Sequence, residues 1–188
     1  MMAKRDTLNR LKIRERQLRE DLIIDAARSV FGTKPYDQVS MNEIAKAAGI
    51  AKSSIYTYFP NQEALFVETA FRDTEHFIAD LKERVAENTA DPLETLIEDY
   101  LDYNITNGAH WRMITHFALH GNIGPASAKK LNRLSVQVMD LLETVLNKAG
   151  CRGDARLMAH TLFAGLSGIM ISFRKYPGRP EADRVAHM

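Results

Sequence analysis

Cysteine and long apolar runs are both scarce in this chain of 188 residues. The single cysteine, Cys151, excludes an internal disulfide and suits a reducing compartment. The most apolar stretch, residues 162–173, has about a dozen residues, well short of the ~20 that a membrane-spanning helix needs. The first residues are polar and basic, unlike a secretory signal. We therefore expect a cytoplasmic protein with no membrane partner.

Motifs for catalysis and cofactor binding are also missing. The sequence has no glycine-rich phosphate loop, no Gly-x-Ser-x-Gly elbow and no histidine motif near Cys151. His116 and His120 are four residues apart, close to His110, and this spacing can chelate a metal. Ordinary histidines are the alternative, because the sequence fixes no third ligand. We expect no catalytic residue, cofactor or metal, and hence no enzyme; a thiol sensor at Cys151 is the remaining alternative.

The net charge of +1 hides an uneven distribution of charged residues. Residues 1–60 carry a net charge of +4, whereas residues 61–188 carry −3. Such a basic excess suits contact with phosphates, although a solvated helix face is the alternative. The basic residues at the front are Lys4, Arg5, Arg10, Lys12, Arg14, Arg16 and Arg19.

Residues 40–59 predict two short helices around a glycine. Ser40 and Glu43 form a capping-box pattern, in which each side chain binds a free amide of the other residue. Gly49 supplies the left-handed conformation that ends the first helix. The second helix, about two turns long, ends before Pro60, since proline disfavours a helical conformation in the preceding residue. This pattern is typical of a helix-turn-helix.

Polar side chains face outward on the second helix of this motif, while Ile50 and Ile55 reach back to the core. A short helix with exposed polar side chains suits a DNA groove, and basic residues 14–19 are expected to reach the DNA backbone. The candidate DNA-binding residues are Ser40, Asn42, Lys52, Ser53, Ser54, Tyr56, Thr57 and Tyr58.

The segment Gly-Ile-Ala-Lys-Ser-Ser-Ile-Tyr-Thr-Tyr-Phe-Pro-Asn-Gln-Glu-Ala-Leu-Phe, residues 49–66, resembles the N-terminal DNA-binding domain of the tetracycline-repressor (TetR) family. The resemblance covers roughly residues 18–66, and the rest of the chain matches only in length and helical character. The family usually has a phosphate-contacting lysine where this chain has Gln62. The resemblance implies a DNA-binding regulator that dimerises through its last two long helices.

Helical periodicity continues through the rest of the chain, and no strand or repeat is predicted. The first helix is expected to begin as early as Asn9, with Leu18 and Leu22 on its inner stripe. The helices predicted outside the motif cover about 9–32, 61–87, 91–107, 109–120, 126–149 and 154–175. We predict an all-α fold: a three-helix DNA-binding domain (residues 1–60) and a helical effector-binding and dimerisation domain (residues 61–188).

Aromatic and polar side chains concentrate in the helices predicted over residues 91–120. Rings with a few polar groups suit a pocket for an apolar or aromatic small molecule. An ordinary core is the alternative, because rings at helical spacing are more often core. The candidate ligand-binding residues are Phe77, Tyr100, Tyr103, Trp111, His116, Phe117, His120 and Phe163.

Small residues in the last helix indicate close contact with another helix. Each glycine costs about 1 kcal/mol relative to alanine in a helix, which is tolerated where another backbone comes near. The TetR resemblance also indicates a dimer through the last two long helices, and close packing within one protomer is the alternative. The candidate interface residues are Val138, Leu142, Val145, Leu162, Gly165, Gly168 and Ile169.

These patterns predict a homodimeric transcriptional regulator, a repressor that a small apolar or aromatic ligand releases from its double-stranded DNA operator. Two other classes of function remain open. One is an enzyme or small-molecule-binding protein that uses the C-terminal cavity, with the front domain as a protein-interaction module. The other is a ligand-independent DNA-binding protein. Operator binding and its response to a ligand distinguish the three.

Overall fold

The computed structural model describes the backbone of residues 2–87, 90–120 and 123–173, and their side chains except at residues 2–5, 117–120 and 173. All regular structure in these ranges is helical, so the predicted all-α fold is confirmed. The helices are α1 (Met2–Thr33), α2 (Met41–Ala47), α3 (Lys52–Ile55), α4 (Gln62–Glu87), α5 (Pro92–Thr106), α6 (Gly108–His120), α7 (Pro125–Lys148) and α8 (Ala155–Phe173), with a 3-10 turn at Tyr36–Gln38.

Helix α1 begins earlier than the sequence predicts, and its first half is exposed. Leu18 and Leu22 are each 57% exposed, so their expected place on the inner stripe is wrong. The buried stripe begins only at Ile23, although Asp21 already pairs with Arg72 of α4. Before that point, ion pairs one turn apart, such as Arg19 with Glu15 at 2.7 Å, support the helix by a few tenths of a kcal/mol each.

The N-terminal core forms where the second half of α1 packs against α2, α3 and the start of α4. Ile44 and Ile55, one from each helix of the predicted motif, have no exposed surface there. Ser40 caps α2 by accepting a hydrogen bond from the Glu43 N–H at 3.2 Å. The second half of the expected capping box is wrong, because the Glu43 carboxylate instead accepts from Lys34. Gly49 has φ +67°, as its predicted role at the helix end requires.

Helix α4 is a continuous helix of 26 residues that supplies two separate cores. Its first turns place Leu65 and Phe66 in the N-terminal core, and its later turns place Ile78 and Leu81 in a second core. At ~1.5 Å per residue the helix spans roughly 39 Å. The predicted cap is confirmed, since Asn61 Oδ1 accepts from the Ala64 N–H at 2.8 Å.

The second core lies between α4, α5, α7 and α8. Asp91 caps α5 by accepting from the Glu94 N–H at 2.9 Å. Helix α6 packs against α1 and α4 as well as α5. Its Met113 belongs to the N-terminal core, whereas its Trp111 packs with Tyr100 of α5 and with α8 in a third cluster. Both α4 and α6 therefore connect the two halves of the protein.

Helix α8 is apolar from Ala155 to Ser172, with a mean hydropathy of 1.2. This stretch is longer than the residues 162–173 expected from sequence. Its length and composition would allow it to cross a membrane, but the core helices of soluble proteins meet the same criterion. Only 22% of this stretch is buried in the protomer. Ala159 and Leu166 face inward, whereas Leu157 is 64% exposed. An apolar face of α8 is therefore left uncovered by the described residues.

An ion pair joins α1 to the middle of α4. Arg28 donates hydrogen bonds to Asp73 from Nε and Nη2, at 2.9 and 2.6 Å to Oδ1. The Asp73 side chain is only 10% exposed, and it raises the pKa of Arg28 through these hydrogen bonds. Arg28 also pairs with Asp25, whose side chain is 67% exposed. The same guanidinium thus has one buried and one exposed partner.

We expect Asp73→Asn to lower the free energy of unfolding by about 1–3 kcal/mol, because asparagine keeps the shape but removes the buried charge that accepts the Arg28 hydrogen bonds. The matched change Asp25→Asn removes an exposed pair and should cost under about 0.5 kcal/mol. Urea denaturation of both variants measures the difference. Equal losses in the two variants would show that the buried pair stabilises the protein no more than the exposed pair.

Candidate DNA-binding surface and ligand cavity

Most of the predicted DNA-binding side chains are exposed on α2, α3 and the residues beside them. Ser54 and Tyr58 are half-buried, and the other six are exposed. Helix α3 is shorter than the two turns predicted, because only residues 52–55 are α-helical. Hydrogen-bonded turns extend it as far as Phe59, whose N–H donates to the Ile55 carbonyl at 2.9 Å. The exposed members of the set are Ser40, Asn42, Lys52, Ser53, Tyr56 and Thr57.

The basic part of α1 lies beside this surface. The Arg16 guanidinium stands 5.5 Å from the centre of the Tyr58 ring, a cation–π contact that ties α1 to the turn after α3. Arg16 and Arg19 also pair with acidic residues on α1. Lys12 and Arg14 form no ion pair with any side chain that the structure describes. Positive charge is therefore available next to the exposed polar surface.

Gln62 holds the start of α4 in place. Its Nε2 donates to the Tyr36 carbonyl at 2.8 Å, which joins α4 to the 3-10 turn. The amide that replaces the family's usual lysine thus has a contact within the protein.

A cavity of about 480 Å³ lies among α4, α5, α6, α7 and α8. Its volume is within the ~300–1,000 Å³ range of small-molecule sites. The wall is largely apolar, and no Asp, Glu, Lys or Arg is among the described side chains that line it. An apolar compound of moderate size fits these properties.

Four of the eight predicted ligand-binding residues line this cavity: Phe77, Tyr100, Trp111 and Phe163. Tyr103 stacks on the outer side of Phe77, with 4.1 Å between ring centres, and borders a separate surface depression. His116 is not in the wall, which corrects its expected position. Its ring lies 4.7 Å from the Tyr36 ring, because that face of α6 packs on the N-terminal core. The side chains of Phe117 and His120 lie outside the described residues.

Two buried polar atoms of cavity-lining residues, Asn104 Oδ1 and His110 Nδ1, have no hydrogen-bond partner among the described residues. Tyr100 Oη is buried beside the Ser167 hydroxyl, which interacts with it. Burial lowers the pKa of His110 to about 4. Asp73 raises this pKa and Arg28 lowers it, both by smaller amounts. His110 is therefore neutral at pH 7. Asn104 and His110 are among the polar groups that the sequence places beside the rings of these helices, and both line the cavity.

The predicted interface residues divide between the interior and the surface. Leu142 and Val145 of α7 are 4% and 0% exposed in the second core, so their expected place at a dimer interface is wrong. Val138 is half-buried and lines the cavity. This stripe of α7 is apolar because it packs inside the protomer.

The α8 members of the set lie nearer the surface. Leu162 and Ile169 are half-buried, and Gly165 and Gly168 are exposed. A Cβ atom built on either glycine meets no described atom within 4 Å. Close packing within the protomer therefore does not account for these glycines among the described residues.

A family model matches a segment in the first half of the chain. Residues 23–69 match the model of the bacterial regulatory proteins, tetR family. This segment is therefore similar to the DNA-binding domain of that family. The match covers α2, α3, the inner part of α1 and the start of α4.

Individual TetR-like relatives extend the comparison. An HTH-type transcriptional regulator of Mycobacterium tuberculosis is 34% identical over 87 residues, which are 46% of this chain and 43% of that protein. A fatty acid metabolism regulator protein of Bacillus subtilis is 24% identical over 135 residues, 71% of this chain and 69% of that protein. The alignment thus spans less than half of the first relative.

A crystal structure of the transcriptional regulator FadR from Bacillus subtilis, in complex with stearoyl-CoA, has the same fold. Its TM-score is 0.69 at 22% identity, with 88% of this chain and 91% of that chain covered. The likeness shows that the two chains share a fold well beyond residues 23–69.

We expect stability to fall between pH 7 and pH 5 because of His110. Its pKa in the folded protein is below the usual 6.5, so the unfolded chain binds the proton more readily and stability is lost on acidification. The loss should be roughly 2 kcal/mol larger in the wild type than in His110→Gln. The exposed His76 provides the control, because His76→Gln should behave as the wild type. Urea denaturation at both pH values measures this, and an unchanged pH dependence in His110→Gln would contradict it.

Proposed function

We propose that the protein is a dimeric DNA-binding transcriptional repressor whose affinity for its operator falls when a small apolar ligand fills the cavity. The observation that carries this proposal is the position of α4. One helix supplies Phe66 to the core behind the exposed polar surface, and Phe77 and Ile78 to the wall of the cavity. A ligand that moves α4 therefore moves the DNA-binding surface.

The DNA-binding function rests on the exposed surface of α2 and α3. Lys52, Tyr56 and Thr57 carry groups that bind phosphates and base edges, and the basic part of α1 adds charge beside them. Helix α3 enters the major groove in this proposal, as the second helix of a helix-turn-helix does. In a two-fold dimer the half-sites lie about one helical turn, or a small multiple, apart.

The two functions are assigned to two parts of the chain. Residues 1–60 act as the DNA-binding domain, and residues 61–188 bind the effector and form the dimer. The protein works in the cytoplasm, where its operator is accessible. The named relatives are transcriptional regulators, which favours this proposal over an enzyme.

The ligand acts by favouring an arrangement that does not fit DNA. To weaken DNA binding tenfold, it must bind that arrangement more tightly by about 1.4 kcal/mol, and DNA weakens ligand binding by the same factor. Helix α6 provides a second connection, because Trp111 lines the cavity while Met113 lies in the N-terminal core. The similarity to a FadR structure that contains stearoyl-CoA favours a largely apolar ligand.

The dimer forms through the exposed apolar face of α8. Gly165 and Gly168 offer open space for a partner backbone, and Leu157 and Ile171 add apolar surface, at 64% and 56% exposure. A second copy of α8 is the occupant, because a face that contains no charged residue over several turns gains by apolar burial.

We expect Lys52→Ala to weaken operator binding by about tenfold and to lower the slope of log affinity against log salt by about 1, because one phosphate contact is lost. Lys82→Ala, an exposed lysine in the middle of the chain on α4, should change neither value. Fluorescence anisotropy with genomic fragments selected by the wild-type protein measures both. Equal behaviour of the two variants would remove α3 from the DNA interface.

We expect Gly168→Leu to fold normally, because the protomer has room for the side chain, and to produce monomers with weaker operator binding. Ala79→Leu, at an exposed position of α4, is the control and should stay dimeric. Sedimentation at micromolar concentration decides between them. A dimeric Gly168→Leu protein would place the interface elsewhere, and a monomeric wild type would overturn the dimer.

A further inference from the structure

The polar atoms of the cavity restrict the class of ligand that it can bind. An inference about this class rests on the proposed function. We propose that the cavity takes an uncharged ligand that carries a hydrogen-bond donor, and that the donor binds at the end formed by Tyr100, Asn104 and His110. Long-chain or aromatic alcohols and amides belong to this class. Carboxylates do not.

Asn104 presents an acceptor. Its Nδ2 donates to the Tyr100 carbonyl at 2.8 Å, which fixes the orientation of the amide and leaves Oδ1 without a partner. The residue is 1% exposed, so water does not satisfy this oxygen. A buried acceptor without a partner is costly, and a ligand that donates to it recovers that cost.

His110 presents a second acceptor. Thr74 Oγ1 donates its hydrogen to the Ala70 carbonyl at 2.8 Å, so it can only accept from His110 Nε2, which lies 3.5 Å away. The proton of the neutral imidazole is therefore on Nε2, and Nδ1 carries a lone pair. Nδ1 is buried and has no partner among the described residues.

Tyr100 completes this end of the cavity. Burial raises the pKa of its hydroxyl, while the Ser167 hydroxyl has a smaller opposite effect. The phenol stays protonated at neutral pH and can donate to a ligand oxygen or accept from a ligand N–H. A primary amide, with two N–H donors and a carbonyl acceptor, matches one donor and two acceptors, whereas an alcohol satisfies the donor and one of the acceptors.

Charge complementarity excludes anions from this position. No cationic side chain lines the described cavity wall, and a carboxylate would face two acceptors with no counter-charge. Burial of an unpaired charge is far more costly than burial of a neutral polar group. The rest of the wall, which includes Leu81, Leu96 and Val138, accepts the apolar body of the ligand.

The test compares four probes of equal chain length: dodecanamide, dodecanol, methyl dodecanoate and dodecanoate. Trp111, the only tryptophan, lines the cavity and reports binding by its fluorescence. At pH 8 the amide and the alcohol should bind about tenfold more tightly than the ester, which has no donor, because one buried hydrogen bond is worth roughly that factor. Dodecanoate should bind most weakly. An ester equal to the amide, a carboxylate equal to the amide, or no binding by any probe would overturn the proposal.

A pair of variants locates the polar contact. Asn104→Leu should remove the preference for the amide over the ester, a change of about tenfold in their affinity ratio. Asn132→Leu makes the same replacement at an exposed position of the cavity wall and should preserve the preference. Circular dichroism confirms folding, and the wild-type probe series tests the ligand class even when Asn104→Leu does not fold. A preserved preference in folded Asn104→Leu would exclude this residue as the acceptor.

Operator affinity measured with the same probes separates this inference from the proposed function. Amide-selective binding with unchanged DNA affinity would support the ligand class and overturn the repressor mechanism. DNA release by dodecanoate alone would support the mechanism and overturn the ligand class. DNA release by dodecanamide and dodecanol supports both.

Discussion

The continuity of α4 is the constraint on which the rest of the structure depends. A helix of 26 residues cannot bend sharply without a proline or another break in its hydrogen bonds, and α4 contains no proline. Its two ends are therefore mechanically linked. Leu65 and Phe66 belong to one core, and Ile78 and Leu81 belong to the other, so neither core can shift along α4 alone.

Two lateral contacts limit how α4 can move. The Arg28–Asp73 pair holds its middle against α1, close to the level at which Thr74 and Phe77 reach the cavity. Arg112 of α6 donates to the Gly32 carbonyl at the end of α1. These contacts tie the middle of α4 and the helix α6 to the same half of α1. The geometry favours rotation of the N-terminal core as one body over local distortion of α3.

Local rules predicted the ends of the helices well. Ser40, Asn61 and Asp91 cap helices as expected, because a cap depends only on residues within one turn.

Contacts between distant segments were harder to predict. An apolar stripe on α7 indicates that Val145 packs against another helix. It does not indicate whether that helix belongs to the same chain or to a second copy. Likewise, helical spacing cannot tell that Leu18 and Leu22 lie on an exposed face of α1. The candidate surface is contiguous because it lies in one local motif, whereas the cavity combines five helices, and its rings are only partly recognisable from sequence.

The brevity of α3 has a consequence for evolution. A helix of four residues has no stability of its own, and this one is held by Ile55 and by Phe59 in the turn that follows. Lys52, Ser53, Tyr56 and Thr57 are exposed and contribute little to folding. These positions can therefore change by mutation with small effects on stability. Under the proposed function, a lineage can thus acquire new operator preferences at this surface while the scaffold beneath it stays the same.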